Sequence, residues 1–133
     1  MMLKLGTDIV YTPRIKSALD KFGERFLQRV YTRTEQQDCT KKSPQSQLMI
    51  PQLAGRWAAK EAVVKALGTG FQGISYTDVE VQRQPNGAPC IHLYGRAAEK
   101  LATWHNYQWL LSISHEKDYA IATAILMVLP GDK

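Results

Sequence analysis

Cysteine is scarce in this chain of 133 residues, with Cys39 and Cys90 the only two. They stand far apart without a CxxC neighbour, which excludes a disulfide framework and a cysteine-rich metal site, so both read as reduced thiols. Long hydrophobic runs are also missing: the longest, residues 120–129, is about half of what a bilayer span requires. The first ten residues carry one lysine and an alternating stretch broken by Gly6 and Asp8, neither a signal h-region nor a transit peptide. A cytosolic protein with no membrane segment is therefore expected. Of the three histidines, His92 and His105 have no metal-binding spacing. No internal repeat, linker or GxxxxGK[ST] phosphate loop occurs.

What remains is ordinary globular material. Apolar residues make up 44% and charged residues 22%, values that argue against disorder. The length suits one domain over residues 1–133. Seventeen Lys and Arg against twelve Asp and Glu give a net charge of +5, which favours an acidic partner. Nucleic acid, a phosphorylated cofactor, an anionic membrane surface and an acidic protein all qualify.

Residues 3–10 alternate as a strand, with Leu3, Leu5, Thr7 and Ile9 on one side and Lys4, Gly6 and Asp8 on the other. Thr12-Pro13 reads as a helix start, and Ile15, Leu19, Phe22, Phe26 and Val30 recur at helical spacing, with Gly23 a possible break. Thr32 to Glu35 has the form of a capping box. Residues 40–51 hold two prolines and read as a loop; the strongest helix follows over 52–67, ending at Gly68. Residues 77–83 and 90–94 read as a hairpin, 95–104 as a short helix with Ala97, Ala98, Leu101 and Ala102 inward, and 109–114 and 119–129 as two strands. The fold class is α+β, an antiparallel or mixed sheet packed with helices around one long central helix.

On the 52–67 helix, Leu53, Trp57 and Val64 share a narrow arc and Glu61 falls beside it. A carboxylate against an apolar face needs a cation, and Lys65 one turn on or a metal ion would serve. A plain Glu61–Lys65 pair is the simpler reading. Asp8 gains meaning only if its strand delivers it to Glu61, where two oxygen ligands with water and phosphate would suit magnesium. Gly68-Thr69-Gly70 follows a helix, whose negative dipole end disfavours anions, so it reads as a cap. His115 reads as a turn residue able to donate to a phosphate or take a proton. Were the second segment unbroken, Arg14, Lys21, Arg25 and Arg29 would share an arc of roughly 80°, either a solvated face or a dock for an acidic protein helix.

Taken in order, several stretches resemble the holo-acyl-carrier-protein synthases, the small, single-domain phosphopantetheinyl transferases. They are Gly6 to Val10 with Arg14-Ile15; Arg25 to Leu27; Tyr31 to Glu35; the long block from Leu53 to Gly70; Asn86 to Pro89; and Ser112 to Glu116. Residues 40–51 match weakly and carry nothing across. The resemblance implies a phosphopantetheinyl transferase fold. It also implies that Asp8 and Glu61 hold magnesium (Mg2+), and that Asp8, Glu61 and Lys65 form the catalytic set with Lys65 near the reacting phosphates. Arg56, Lys65, Gly68, Gly70, Pro89 and His115 would bind coenzyme A, and Arg14 would face the acyl carrier protein. A homotrimer with sites between subunits and a role in fatty acid biosynthesis are implied as well. The base for the carrier serine is left open between Glu61 and a water relayed through it; the water is favoured, since a cation lowers the pKa of its ligand. Trp57 and Tyr31 stand where phenylalanine is common in the family.

Two other functions compete. A basic RNA-binding module would use Trp104, Tyr107 and Trp109 for stacking, although core packing explains those aromatics as well. A trimer that binds coenzyme A without transfer is opposed by the intact Asp8, Glu61 and Lys65. The expectation is an enzyme acting on coenzyme A and an acidic carrier protein, with no nucleic acid partner.

Overall fold

A computed structural model describes residues 1–130; the last three residues of the expected domain lie outside the described residues. The elements run β1 (Met2–Tyr11), α1 (Thr12–Phe22), α2 (Glu24–Val30), α3 (Arg33–Asp38), β2 (Thr40–Lys41), β3 (Gln47–Leu48), α4 (Ile50–Leu67), a 3-10 turn (Tyr76–Asp78), β4 (Val79–Arg83), β5 (Pro89–Leu93), α5 (Gly95–Glu99), β6 (Tyr107–Glu116) and β7 (Tyr119–Val128). The α+β class holds, and every strand pair is antiparallel. The main sheet has the order β1-β7-β6, and β2-β3 and β4-β5 are separate hairpins.

Helix α4 is the centre of the core. Leu53, Ala54, Ala58, Ala59, Ala62, Val63 and Val64 are all fully buried, because alanine lets neighbouring elements approach from several sides at once. Gly6 is the extreme case: a Cβ built there would stand 1.8 Å from the Ala62 carbonyl oxygen and 2.7 Å from the Ala66 nitrogen. Strand β1 therefore crosses α4 backbone to backbone, directly over residues 62–66.

Burial along β1 runs against the usual rule that a strand's apolar face turns inward. Gly6 and Val10 face α4, whereas Leu3, Leu5 and Ile9 are 60%, 64% and 62% exposed. Ile121 on β7 and Leu110 on β6 continue this open apolar surface. It is a large exposed patch on an otherwise well-packed chain.

Local readings are corrected in several places. Residues 40–51 hold the β2-β3 hairpin, and α4 begins at Ile50 with Pro51 in its first turn, two residues before the expected start. Gly23, at φ 58° and ψ −133°, does divide α1 from α2, so the four cations of that segment share no single helical phase. Helix α5 covers only five residues; Ala97 and Leu101 are buried, and Ala102 is exposed. His115 lies within β6, opposite Ala120, and the turn itself is only Lys117 and Asp118, with Lys117 at φ 51°. The capping box at Thr32 forms as expected: the Thr32 hydroxyl accepts from the Glu35 N–H, and Glu35 accepts from the Thr32 N–H.

Candidate active site

The crossing of β1 over α4 places Asp8 beside the second half of the helix. Lys65 Nζ donates to Asp8 Oδ1 and to the Thr7 carbonyl, each at 3.0 Å. An ammonium has three donors, so one remains for an incoming anion. Glu61, one turn earlier, does not pair with Lys65; its Oε1 accepts from the Tyr76 hydroxyl at 2.9 Å. The simple Glu61–Lys65 pair is thus absent among the described residues, and Lys65 is taken by a strand residue 57 positions away. Burial, then the hydrogen bond and charge of Glu61, then the charge of Asp8, push the Tyr76 phenol well above its ordinary range. Tyr76 stays a donor and lies in the field of both carboxylates.

This group suits a hard cation. Asp8 and Glu61 each have one oxygen engaged, which leaves Oδ2 and Oε2 to a ligand. Among the described residues no cluster of three or more His, Cys, Asp or Glu side chains is found. Two carboxylates without a full protein cage match magnesium, which keeps several waters and binds through one or two carboxylates plus phosphate oxygens.

A second group forms near the start of α4. Arg56, Pro89 and His115 line a cavity of about 140 Å³ together with Gly55, Arg83 and Gly87. Gly55 makes room for the histidine, since a Cβ there would stand 2.8 Å from His115 Nε2. His115 Nε2 lies 2.8 Å from the Pro51 carbonyl, an acceptor only, so Nε2 carries the proton and Nδ1 is left for a ligand. Arg56 is buried and bonds weakly to Asp38 at 3.9 Å and to the Gln52 carbonyl at 3.5 Å. Its Nε is buried without a partner, a donor that an anion in the cavity would satisfy.

The two groups do not meet within one chain. Nine residues separate Arg56 from Lys65, which is about 13 Å along α4 and half a turn around it. Gly68 and Gly70, at φ 82° and 58°, lie at the Lys65 end, where the N–H groups of residues 68, 69 and 70 converge on the Val64 carbonyl as a helix cap. Arg14 is exposed on α1. Arg25 and Arg29 line a different feature, a groove of about 380 Å³ floored by Phe22, Phe26, Trp57 and Tyr76, so the groove runs up to the Glu61 partner.

Sequence reasoning missed the polar network behind the site. Lys60 is fully buried and ion-paired to Glu35 at 2.7 Å, and it donates to the carbonyls of Tyr76 (3.0 Å) and Val79. Burial lowers the Lys60 pKa, and the charge and hydrogen bond of Glu35 oppose that shift. The other Glu35 oxygen accepts from the Val81 N–H at 2.8 Å. A signal was present: on the helical wheel Lys60 falls about 20° from Leu53, inside the most apolar arc of α4.

Comparison with known proteins gives one answer. A family model described as the 4'-phosphopantetheinyl transferase superfamily matches residues 4–124. Holo-acyl-carrier-protein synthase of Gloeobacter violaceus is 48% identical over 120 residues, covering 90% of this chain and 89% of that protein. The crystal structure of holo-acyl-carrier-protein synthase from Neisseria meningitidis superposes with a TM-score of 0.78 at 35% identity, covering 92% of this chain and 96% of that one. The Helicobacter pylori synthase in complex with coenzyme A gives 0.77 at 32% identity, over 92% and 98%.

Proposed function

We infer the working of the site from one premise: this chain belongs to the 4'-phosphopantetheinyl transferase superfamily. It is a transferase that moves the phosphopantetheine group of coenzyme A to a serine of apo acyl carrier protein, releasing 3',5'-ADP. The observation that carries the reading is the meeting of Asp8 with Lys65, 57 residues apart in sequence, beside Glu61.

In the proposed mechanism Asp8 and Glu61 would hold magnesium through the carboxylate oxygens left unengaged. The ion, when bound, would neutralise the pyrophosphate of coenzyme A and the charge that gathers on the leaving group. Lys65 directs its remaining N–H to the transferred phosphate, while Asp8 and the Thr7 carbonyl fix its position. The serine oxygen bonds to the β-phosphorus as the bond from that phosphorus to the bridging oxygen breaks; 3',5'-ADP carries away the electron pair, and the serine proton passes to water. Arg56 binds the adenosine phosphates of coenzyme A, in the cavity that His115 and Pro89 line with it. Gly68 and Gly70 leave the Lys65 end of α4 open to the cofactor, since no atom lies within 4 Å of a Cβ built at either. The carrier, an acidic protein of fatty acid biosynthesis, docks on Arg14 and on the Arg25 and Arg29 groove, which ends at Tyr76 and Glu61.

Because Arg56 and Lys65 point from opposite sides of α4, one coenzyme A molecule reaches both only if they come from two copies. The apolar outer face around Leu3, Leu5, Ile9 and Ile121 offers the surface on which copies associate, and the assembly is a homotrimer with its sites between subunits. It works in the cytosol, in keeping with the unpaired Cys39 and Cys90 thiols. Among the described residues no helix is long and apolar enough to cross a membrane.

The test is a mass measurement on apo acyl carrier protein incubated with the protein, coenzyme A and Mg2+. One phosphopantetheine should be gained, and the gain should vanish with a chelator. Transfer that survives full chelation would remove magnesium from the scheme; no gain with several carriers would remove the transfer itself.

A further inference from the structure

We propose that Tyr76 is a positioning residue for Glu61, holding one carboxylate oxygen so that the other is presented to the cation. This rests on the reading of Glu61 as a metal ligand. A glutamate on a helix surface has three free torsions, and fixing them costs side-chain entropy. A ligand ordered in advance spares that cost at the moment of metal binding.

The donor is unambiguous. A carboxylate only accepts, so the 2.9 Å contact is the Tyr76 hydroxyl donating to Glu61 Oε1. Tyr76 is itself immobilised from three directions. Its ring is stacked between Trp57, with centroids 4.8 Å apart and planes at 21°, and Phe71, at 3.7 Å and 25°. Its carbonyl accepts from Lys60 Nζ at 3.0 Å, and Lys60 is fixed by Glu35 in the fully buried core. A continuous chain, Glu35 to Lys60 to Tyr76 to Glu61, thus runs from the fully buried interior to the site. Glu35 and Lys60 touch no reacting group; they act through Tyr76. The aromatic stack continues from Trp57 to Phe26, at 6.3 Å, so the same ring that orients Glu61 also closes one end of the basic groove.

Hydrogen-bond partners of metal ligands contribute about 10–100-fold to metal affinity or turnover. The test uses Tyr76→Phe, which keeps the stacked ring and removes only the hydroxyl. Mn2+ is titrated into the full-length protein saturated with coenzyme A, and free Mn2+ is read by electron paramagnetic resonance. Tyr76→Phe should weaken Mn2+ binding and lower kcat by about tenfold each, with Tm and the KM values for coenzyme A and carrier close to wild type. Phe71→Leu, which retains the hydroxyl but loosens the clamp on the ring, should move Mn2+ affinity in the same direction by a smaller factor. Wild-type Mn2+ affinity and kcat in Tyr76→Phe would overturn the proposal. A parallel Glu61→Gln titration separates the failures. If Glu61→Gln loses Mn2+ and Tyr76→Phe does not, only the positioning role falls. If Glu61→Gln binds Mn2+ as wild type does, the ligand assignment of Glu61 falls and takes the positioning role with it.

Discussion

Replacing Gly6 by alanine should unfold or inactivate this protein through a single methyl group. The added Cβ would stand 1.8 Å from the Ala62 carbonyl oxygen, 2.9 Å from its carbon and 2.7 Å from the Ala66 nitrogen. A carbon and an oxygen not bonded to each other approach to about 3.3 Å, so the deficit is about 1.5 Å. All three atoms belong to the backbone of α4, which has no rotamer with which to yield. Strand β1 is held along its whole length by β7, so it must lift away from the helix as a unit. Overpacking of a core costs about 1–3 kcal/mol when side chains absorb it, and a backbone clash belongs at or beyond the upper end, about 3 kcal/mol or more. In a domain of this size that lowers Tm by roughly 10 °C. The same lift carries Asp8 away from Lys65, whose 3.0 Å contact would open to beyond hydrogen-bond reach. Urea unfolding followed by circular dichroism, together with the rate of transfer to carrier, measures both effects. Gly70→Ala is the control for the urea measurement alone, because its Cβ would meet no protein atom within 4 Å and its stability suffers only from φ 58°, at about 1 kcal/mol. A Gly6→Ala protein with wild-type Tm and wild-type turnover would refute the close approach of β1 to α4 and the placement of Asp8 built on it.

Lys60→Met should cost about 3–5 kcal/mol in urea unfolding, since it leaves the Glu35 carboxylate buried without its cation, and adding Glu35→Gln should recover part of that loss. A loss below about 1 kcal/mol would mean that the pair is not a structural element. Burial pushes the Cys39 thiol up to about 11. A raised folded-state pKa means that its stability contribution is intact below the ordinary thiol range and is lost as pH climbs through about 11, an effect of about 2–3 kcal/mol. Cys39→Ala should therefore flatten the alkaline fall in unfolding free energy by that amount, and an unchanged slope would contradict the assignment. Arg14→Glu should raise the KM for carrier roughly tenfold while leaving the KM for coenzyme A near wild type, because a rim charge acts on docking. Equal losses for both substrates would place Arg14 elsewhere in the reaction.

Much of the site was legible along the chain because its signals are local. The alanine-rich block and Gly68 define α4 without knowledge of any partner, and the alternation of residues 3–10 defines β1. Which face of β1 turns inward was not legible. Leu3, Leu5 and Ile9 are the apolar set, yet the helix takes Gly6 instead, since only a residue without a side chain permits the crossing at 62–66. The pairing of Lys65 with Asp8 depends on that crossing, so the nearer Glu61 was the natural partner to expect. His115 was read into a turn because the alternating stretch ends at Ser114, and the last two residues of β6, His115 and Glu116, are both polar and continue straight into the Lys117-Asp118 turn. Lys60 and Glu35 each carried a visible local role, a helix residue and a capping-box residue. Their ion pair emerges only when α3 and α4 are packed together. Residues 40–51 formed a hairpin two residues long on each side, too short for any periodicity to register.

The claim on which the account turns is that one site is built from two copies, with Asp8, Glu61 and Lys65 from one and Arg56 and His115 from its neighbour. Mixing two defective variants measures this directly. Asp8→Ala and Arg56→Met proteins, each unable to modify carrier alone, are co-expressed in equal amounts, and transfer is read as the phosphopantetheine mass gained by apo acyl carrier protein. In a randomly mixed trimer each interface has about a one-in-four chance of joining an intact Asp8 to an intact Arg56, so about a quarter of wild-type activity should return. Mixed assemblies no more active than either variant alone would contradict the shared site.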